Sequence, residues 1–248
     1  MNSSGKSKSQ AIFGVYALAA AACFGAVTYL DRKRRLDKIN TETTQVLQKH
    51  KSKAIDQALA VPSALGYAPQ VYGISAGLIL FLYAFGKKVD ALMALGAMGA
   101  SFLAGGVIKR LAKEPRPKRP MVRKQRSKGG ESYPSGHVLY FTAFYGYAAY
   151  LAATQIASRG WRALSLGLLG TAIAASGVSR IYRGEHWIAD VSAGYLVGSA
   201  ILALTLIARQ AIGMSGQADR YREWPRYQPA KSFSPVQTPG STRSETTE

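Results

Sequence analysis

The sequence predicts an all-α integral-membrane protein: a bundle of six transmembrane helices with an amphipathic connector helix. Three observations predict it. Six long apolar runs occur, near 11–30, 67–86, 91–108, 138–157, 163–178 and 187–208. Each is about long enough to cross a bilayer as a helix. Short basic links such as Lys87-Lys88-Val89-Asp90 and Ser158-Arg159-Gly160-Trp161-Arg162 separate some of them, which makes neighbouring helices antiparallel. Composition agrees: 48% of the 248 residues are hydrophobic, although the chain carries 32 basic residues against 13 acids, a net charge of +19. Such a charge suits nucleic acid or an anionic membrane surface. No nucleic-acid-binding motif is present, and a soluble nucleic-acid binder has no need of long apolar blocks. The single Cys23 excludes an internal disulfide.

Taken in order, residues 1–10 are a polar N-terminus with Lys6 and Lys8. Residues 11–66 hold the first span and its connector. The run 11–30 reads as a retained span. A secretory signal, or a lipoprotein signal ending near Cys23, is the alternative, but Phe24 to Leu30 stay apolar past such a cleavage point. Asp31-Arg32-Lys33-Arg34-Arg35 is a charged stop. Leu36, Ile39, Val46, Leu47, Ile55 and Leu59 then recur at roughly helical spacing, which fits an amphipathic helix on the membrane surface or a solvated helical hairpin. Residues 67–208 form the membrane core. Gly73 with Gly77, and Gly194 with Gly198, offer small-residue faces for close helix packing. Residues 209–248 are a C-terminal tail, rich in Pro, Ser and Thr beyond Gln228, with the composition of a disordered segment. Six spans put both termini on one side of the membrane. The connections 31–66, 109–135 and 179–188 then share the other side.

Those three connections carry the chemistry. Lys109 is followed after six residues by Arg116-Pro117. Next comes Pro134-Ser135-Gly136-His137. Last is Ser179-Arg180, five residues, His186, three residues, Asp190. Any one block is a weak signal; three in this order and spacing are a strong one. Together they resemble the type 2 phosphatidic acid phosphatase and vanadium haloperoxidase superfamily, in its membrane lipid phosphatase branch. The resemblance covers 109–190 by motif and 67–208 by span pattern.

The resemblance implies a phosphatase acting on a phosphorylated lipid through a phosphohistidine, without a cofactor. His186 is the candidate nucleophile. Asp190, one helical turn on, is placed to orient it and to stabilise the imidazolium that forms. An aspartate inside an apolar run is costly without such a purpose. His137 is the candidate general acid and later general base. Lys109, Arg116 and Arg180 form a cationic phosphate cage. Ser135 and Gly136 bind phosphate by hydroxyl and backbone at a helix start. Arg110, Lys113, Lys118, Arg119, Arg123, Lys124, Arg126 and Lys128 also crowd the loop, as solvated charges or attractants for anionic lipid. Arg183 and Glu185 fall at positions the pattern leaves open and receive no role.

A two-metal phosphatase is the natural rival, and it needs clustered carboxylates and histidines. The chain has three histidines, with His50 far off in the connector, and the motif region holds only Glu114, Glu131, Glu185 and Asp190 as acids. No metal site is expected. A vanadate-dependent haloperoxidase would use the same ligands, but known members of that branch are soluble. A non-catalytic scaffold or transporter would have no need of His137, His186 and Asp190 together. Tyr140, Phe141, Phe144, Tyr145 and Tyr147 either line a lipid path or pack helices. Resemblance puts the site outside the cytoplasm with both termini inside. A count of basic flanks, heaviest in 31–53 and 109–128, points the other way.

Overall fold

The structure, a computed structural model, describes residues 3–50, 52–117, 122 and 130–214. The helices run α1 (Ser3–Arg32), α2 (Asp37–Lys49), α3 (Lys53–Leu65), α4 (Gln70–Ala84), α5 (Lys88–Ala112), α6 (Gly136–Tyr140), a π-helical turn (Phe141–Tyr145), α7 (Gly146–Gln155), α8 (Arg159–Tyr182) and α9 (Ile188–Met214). No strand occurs among the described residues. The protein is an integral membrane protein built of helices.

Among the described residues four helices are long and apolar enough to cross a membrane: Lys8–Arg32, Lys88–Ala112, Arg159–Tyr182 and Ile188–Ile212. A fifth span results if α3 and α4, bent by 58° at a short break, count as one. The remaining expected run, 138–157, folds as the continuous stretch α6–π–α7. Its tyrosines lower its apolar character, and its first half, 138–145, is buried inside the bundle. Val138, Leu139, Phe141, Phe144 and Tyr147 are fully buried, and Tyr140 is nearly so. Tyr140 stacks on Phe144 with centroids 5.2 Å apart, and Phe141 meets Tyr145 edge-on at 4.7 Å. These rings are the core of the bundle, so packing, not a lipid path, explains them. A helix buried inside protein can keep hydroxyls that a lipid-facing helix cannot, provided each finds a partner. Tyr140 shares its hydroxyl with Ser75, 2.8 Å away, and Tyr147 donates to Asp90 at 2.8 Å.

α1 packs along α9. The two glycine pairs part company. A Cβ at Gly198 would lie 2.6 Å from Thr142 Cβ and 2.7 Å from Leu139 O, and one at Gly194 would lie 2.9 Å from Ser135 O. These glycines let α9 touch the backbone of α6. Among the described residues Gly73 and Gly77 have no neighbour within 4 Å of that position, so they make no close packing face there.

Of the two arrangements expected, the connector takes that of two helices rather than one. It folds as α2 and α3, which dock on α8 and α9. The pattern of Leu36, Ile39 and Val46 does not govern this, since Ile39 and Val46 remain exposed while Asn40 and Thr44 are buried. Polar contacts anchor it instead. Asn40 Oδ1 accepts from the Ala189 N–H at 3.1 Å, and Gln48 Nε2 donates to Tyr182 O at 2.9 Å. The helical ends also overrun the expected boundaries: α1 begins within the polar N-terminus, and α9 continues six residues past 208. The rest of the tail, 215–248, and Lys118, Arg119, Arg123, Lys124, Arg126 and Lys128 lie outside the described residues.

Candidate active site

α5 ends at one face of the bundle, where α6 starts, α8 ends and α9 starts. The charged motif residues therefore meet there. His186 occupies the short turn between α8 and α9 and is almost entirely buried, 3% exposed. Its Nδ1 lies 3.1 Å from Asp190 Oδ2, and its Nε2 lies 3.2 Å from Arg116 Nη1. A guanidinium only donates and a carboxylate only accepts. The imidazole is therefore neutral, with its proton on Nδ1 and its lone pair on Nε2. Burial, and then the charges of Arg116, Lys109 and Arg180, hold the imidazolium well below the ordinary histidine range. That is the form a nucleophilic histidine requires.

Asp190 is placed by the first turn of α9. Its Oδ2 gathers three donors: His186 Nδ1, the Trp187 N–H at 2.9 Å, and a short hydrogen bond from Ser132 Oγ. Ser132 is fully buried and its Oγ also lies 3.2 Å from His186 Nδ1. Lys109, in the last turn of α5, donates to the carbonyls of Glu131 and Ser132, both at 3.0 Å. Lys109 thus fixes the irregular segment that presents Ser132 as well as lending charge. Arg116 donates through Nη1 to Glu185 O at 3.0 Å.

Ser135 stands before α6, but its hydroxyl does not cap that helix. Its N–H is taken by Asp190 O at 3.0 Å. Its Oγ is buried and has no partner among the described residues, as has Arg116 Nε. These are atoms that an anionic ligand would satisfy. Gly136 follows with an open Cβ position, so the backbone there is approachable. The ring of His137 meets Tyr67 edge-on with centroids 4.5 Å apart, and Gly66 lies against its other atoms.

Arg180 is 0% exposed. Its Nη1 donates to Glu185 Oε2 at 3.0 Å and to Tyr67 Oη at 2.8 Å, and its Nη2 makes a short hydrogen bond to Ser63 Oγ. Tyr67 in turn donates to Glu185 Oε2 at 2.6 Å. Burial would raise the Glu185 carboxyl, but Arg180 and the Tyr67 hydroxyl outweigh it and hold it below the usual carboxylate range.

His186 thus meets Asp190 and Arg116 directly, and Lys109 joins them through Ser132. Ser135 joins them through Asp190. His137 and Arg180 meet on Tyr67. Ser132, Glu185, Tyr67, Ser63 and Gly66 escaped sequence reasoning. Only Glu185 offered a signal, as a buried-side acid beside the candidate nucleophile. Among the described residues no three His, Cys, Asp or Glu side chains form a group that could hold a metal ion.

No curated protein matches the chain. Its fold is similar to two solved structures. One is a transmembrane PAP2-type phosphatidylglycerolphosphate phosphatase from Bacillus subtilis, at 17% identity and a TM-score of 0.72, covering 79% of this chain and 96% of that one. The other is LpxE from Aquifex aeolicus, at 20% identity and a TM-score of 0.55, covering 68% and 94%. The PAP2 superfamily model matches residues 90–213, the half of the sequence that carries all three motif blocks, and the chain belongs to that superfamily.

Proposed function

We propose that the protein is an integral-membrane phosphatase that hydrolyses a phosphomonoester or pyrophosphate on a lipid through a phosphohistidine. One observation carries the reading: His186 is buried and neutral, with Nδ1 held by Asp190 and the Nε2 lone pair turned to Arg116. In the first step Nε2 attacks phosphorus. The P–N bond forms, the P–O bond to the lipid breaks, and His137 gives its proton to the leaving oxygen. In the second step water attacks phosphorus, His137 takes a water proton, and the P–N bond breaks to release inorganic phosphate. Charge on the transferring group is met by Arg116, Lys109 and Arg180, with the Ser135 hydroxyl and the Gly136 backbone. This cage does the work a metal pair does elsewhere, so turnover is metal-independent. A lipid substrate is supported by the site's place at the ends of membrane helices, and by likeness to a phosphatidylglycerolphosphate phosphatase.

The site faces away from the cytoplasm, with both termini inside. Its support is the family resemblance; both termini share one side when the bent α3–α4 pair and the buried α6–α7 stretch each count as a span. Single cysteines at Ser127 and Ser234 in a Cys23→Ser background test it. A membrane-impermeant maleimide applied to intact cells should label position 127 alone; labelling of 234 alone reverses the orientation.

The decisive experiment for the activity uses purified protein in detergent. Phosphate release is measured over phosphatidate, phosphatidylglycerophosphate and a polyprenyl pyrophosphate. Release from at least one is expected, with acid-labile, base-stable phosphate trapped on His186. Release from none of them would overturn the reading.

A further inference from the structure

We infer that Glu185, with Tyr67, is a positioning unit that sets the cage arginines and the His137 acid relative to one another. The inference rests on the phosphatase reading above. Glu185 engages both arginines by different atoms. Its carboxylate accepts from Arg180 Nη1 at 3.0 Å, and its carbonyl accepts from Arg116 Nη1 at 3.0 Å. It does so one residue from the nucleophile, so any shift at 185 is felt at His186. Tyr67 extends the unit. Its hydroxyl lies between Arg180 and Glu185, while its ring bears on His137 at 4.5 Å. Ser63 takes the second Arg180 terminal nitrogen. Both Nη atoms of Arg180 are thus committed within the protein, and Nε is the buried nitrogen without a partner among the described residues.

Tyr67 and Ser63 lie in the connector and the start of α4's approach, outside the stretch 90–213 that matches the family. The connector therefore supplies part of the catalytic geometry, beyond what the three motif blocks encode. The carboxylate does two things. It cancels one positive charge in a cage of three, which keeps a bound phosphate from being held too tightly for release. It also restrains the Arg180 fork, so that the cage fits the trigonal-bipyramidal transition state better than the tetrahedral product.

The test compares Glu185→Gln and Tyr67→Phe with the full-length wild type in detergent. Glu185→Gln removes the charge and keeps the shape. Tyr67→Phe keeps the ring against His137 and the buried ion pair, and removes only the hydroxyl. Affinities for orthovanadate and for inorganic phosphate are read by quenching of tryptophan fluorescence, since Trp187 adjoins His186. Both ions are measured whether or not any lipid is turned over. The ratio of vanadate to phosphate affinity is expected to fall about tenfold in Glu185→Gln and about threefold in Tyr67→Phe. In Glu185→Gln phosphate should bind more tightly than in wild type, and kcat should fall more than KM. A ratio within about twofold of wild type in folded Tyr67→Phe overturns the inference. That result stands even if Glu185→Gln does not fold. Wild type that binds vanadate yet hydrolyses none of the lipids would instead defeat the phosphatase reading alone.

Discussion

Gly66 should be indispensable for turnover and dispensable for folding. Its backbone sits at φ −94° and ψ 2°, a conformation any L-residue adopts. Gly66→Ala therefore carries no backbone strain, and its effect lies in the side chain it meets. The added methyl, however, would land 2.1 Å from His137 Cδ2, 2.8 Å from Nε2 and 2.9 Å from Cγ. Carbon atoms rest about 3.5–4.0 Å apart, so the imidazole must retreat by about 1.5 Å. The Tyr67 ring at 4.5 Å limits where it can go. A general acid displaced by an ångström or more costs on the order of a hundredfold in kcat. The assay is phosphate release from the preferred lipid, alongside melting of the purified variant in detergent. A double-mutant cycle then isolates the cause. In a His137→Ala background, Gly66→Ala should change the rate by less than about 0.5 kcal/mol, because the group it displaces is already gone. Full activity in Gly66→Ala would refute the reasoning, and so would losses that add in the double variant.

Four further outcomes are expected. His186→Ala should lose phosphate release by more than about a hundredfold while staying folded, since nucleophile loss costs orders of magnitude; retained activity in a folded variant removes His186 from that role. Activity should survive a chelator and be inhibited by orthovanadate; abolition by chelator with rescue by a divalent ion would contradict a cage of cations. Gly198→Ala should lower stability by about 1–3 kcal/mol, since its methyl meets a backbone carbonyl that cannot give way, while Gly73→Ala should not, and equal melting temperatures would undo this account of α9 packing. Finally, the imidazole of His186 is held below its ordinary value of 6.5, so its contribution to stability is complete above that pH and is lost as pH falls below it and the unfolded chain takes up the proton first. Melting from about pH 8 to about pH 5 should show this loss, and His186→Gln should flatten it.

What the sequence made legible follows the range of the contacts. Asp190 is four residues from His186 on a helix, so their pairing is written in local spacing, and the structure brings them to 3.1 Å. The six apolar runs were legible because hydrophobic content tracks lipid exposure. Where that link fails, at the buried α6–α7 stretch, tyrosines dilute the signal. The connector was legible as an amphipathic helix or a helical hairpin, but its seating was not. Its apolar spacing suggested a surface helix, but polar atoms seat it: Asn40 reaches a backbone group 149 residues away, and Ser63 a guanidinium 117 residues away. No pattern within the connector encodes a partner that distant. Ser132 lies in irregular chain, where neither periodicity nor capping marks it. The glycines of Gly73 and Gly194 look alike in sequence, and only the neighbouring backbone separates them.

At the opposite end of α5 from Lys109, Asp90 joins three helices. Its carboxylate accepts from Arg209 Nε of α9 at 2.6 Å, from Tyr147 Oη at 2.8 Å and from Gln155 Nε2 of α7 at 2.8 Å. Prising these helices apart there would strand a buried charge, at a cost of several kcal/mol. The bundle therefore behaves as a pair of tongs riveted at one end. Any parting of α5, α7 and α9 is therefore easier at the jaws, the end that holds the candidate site.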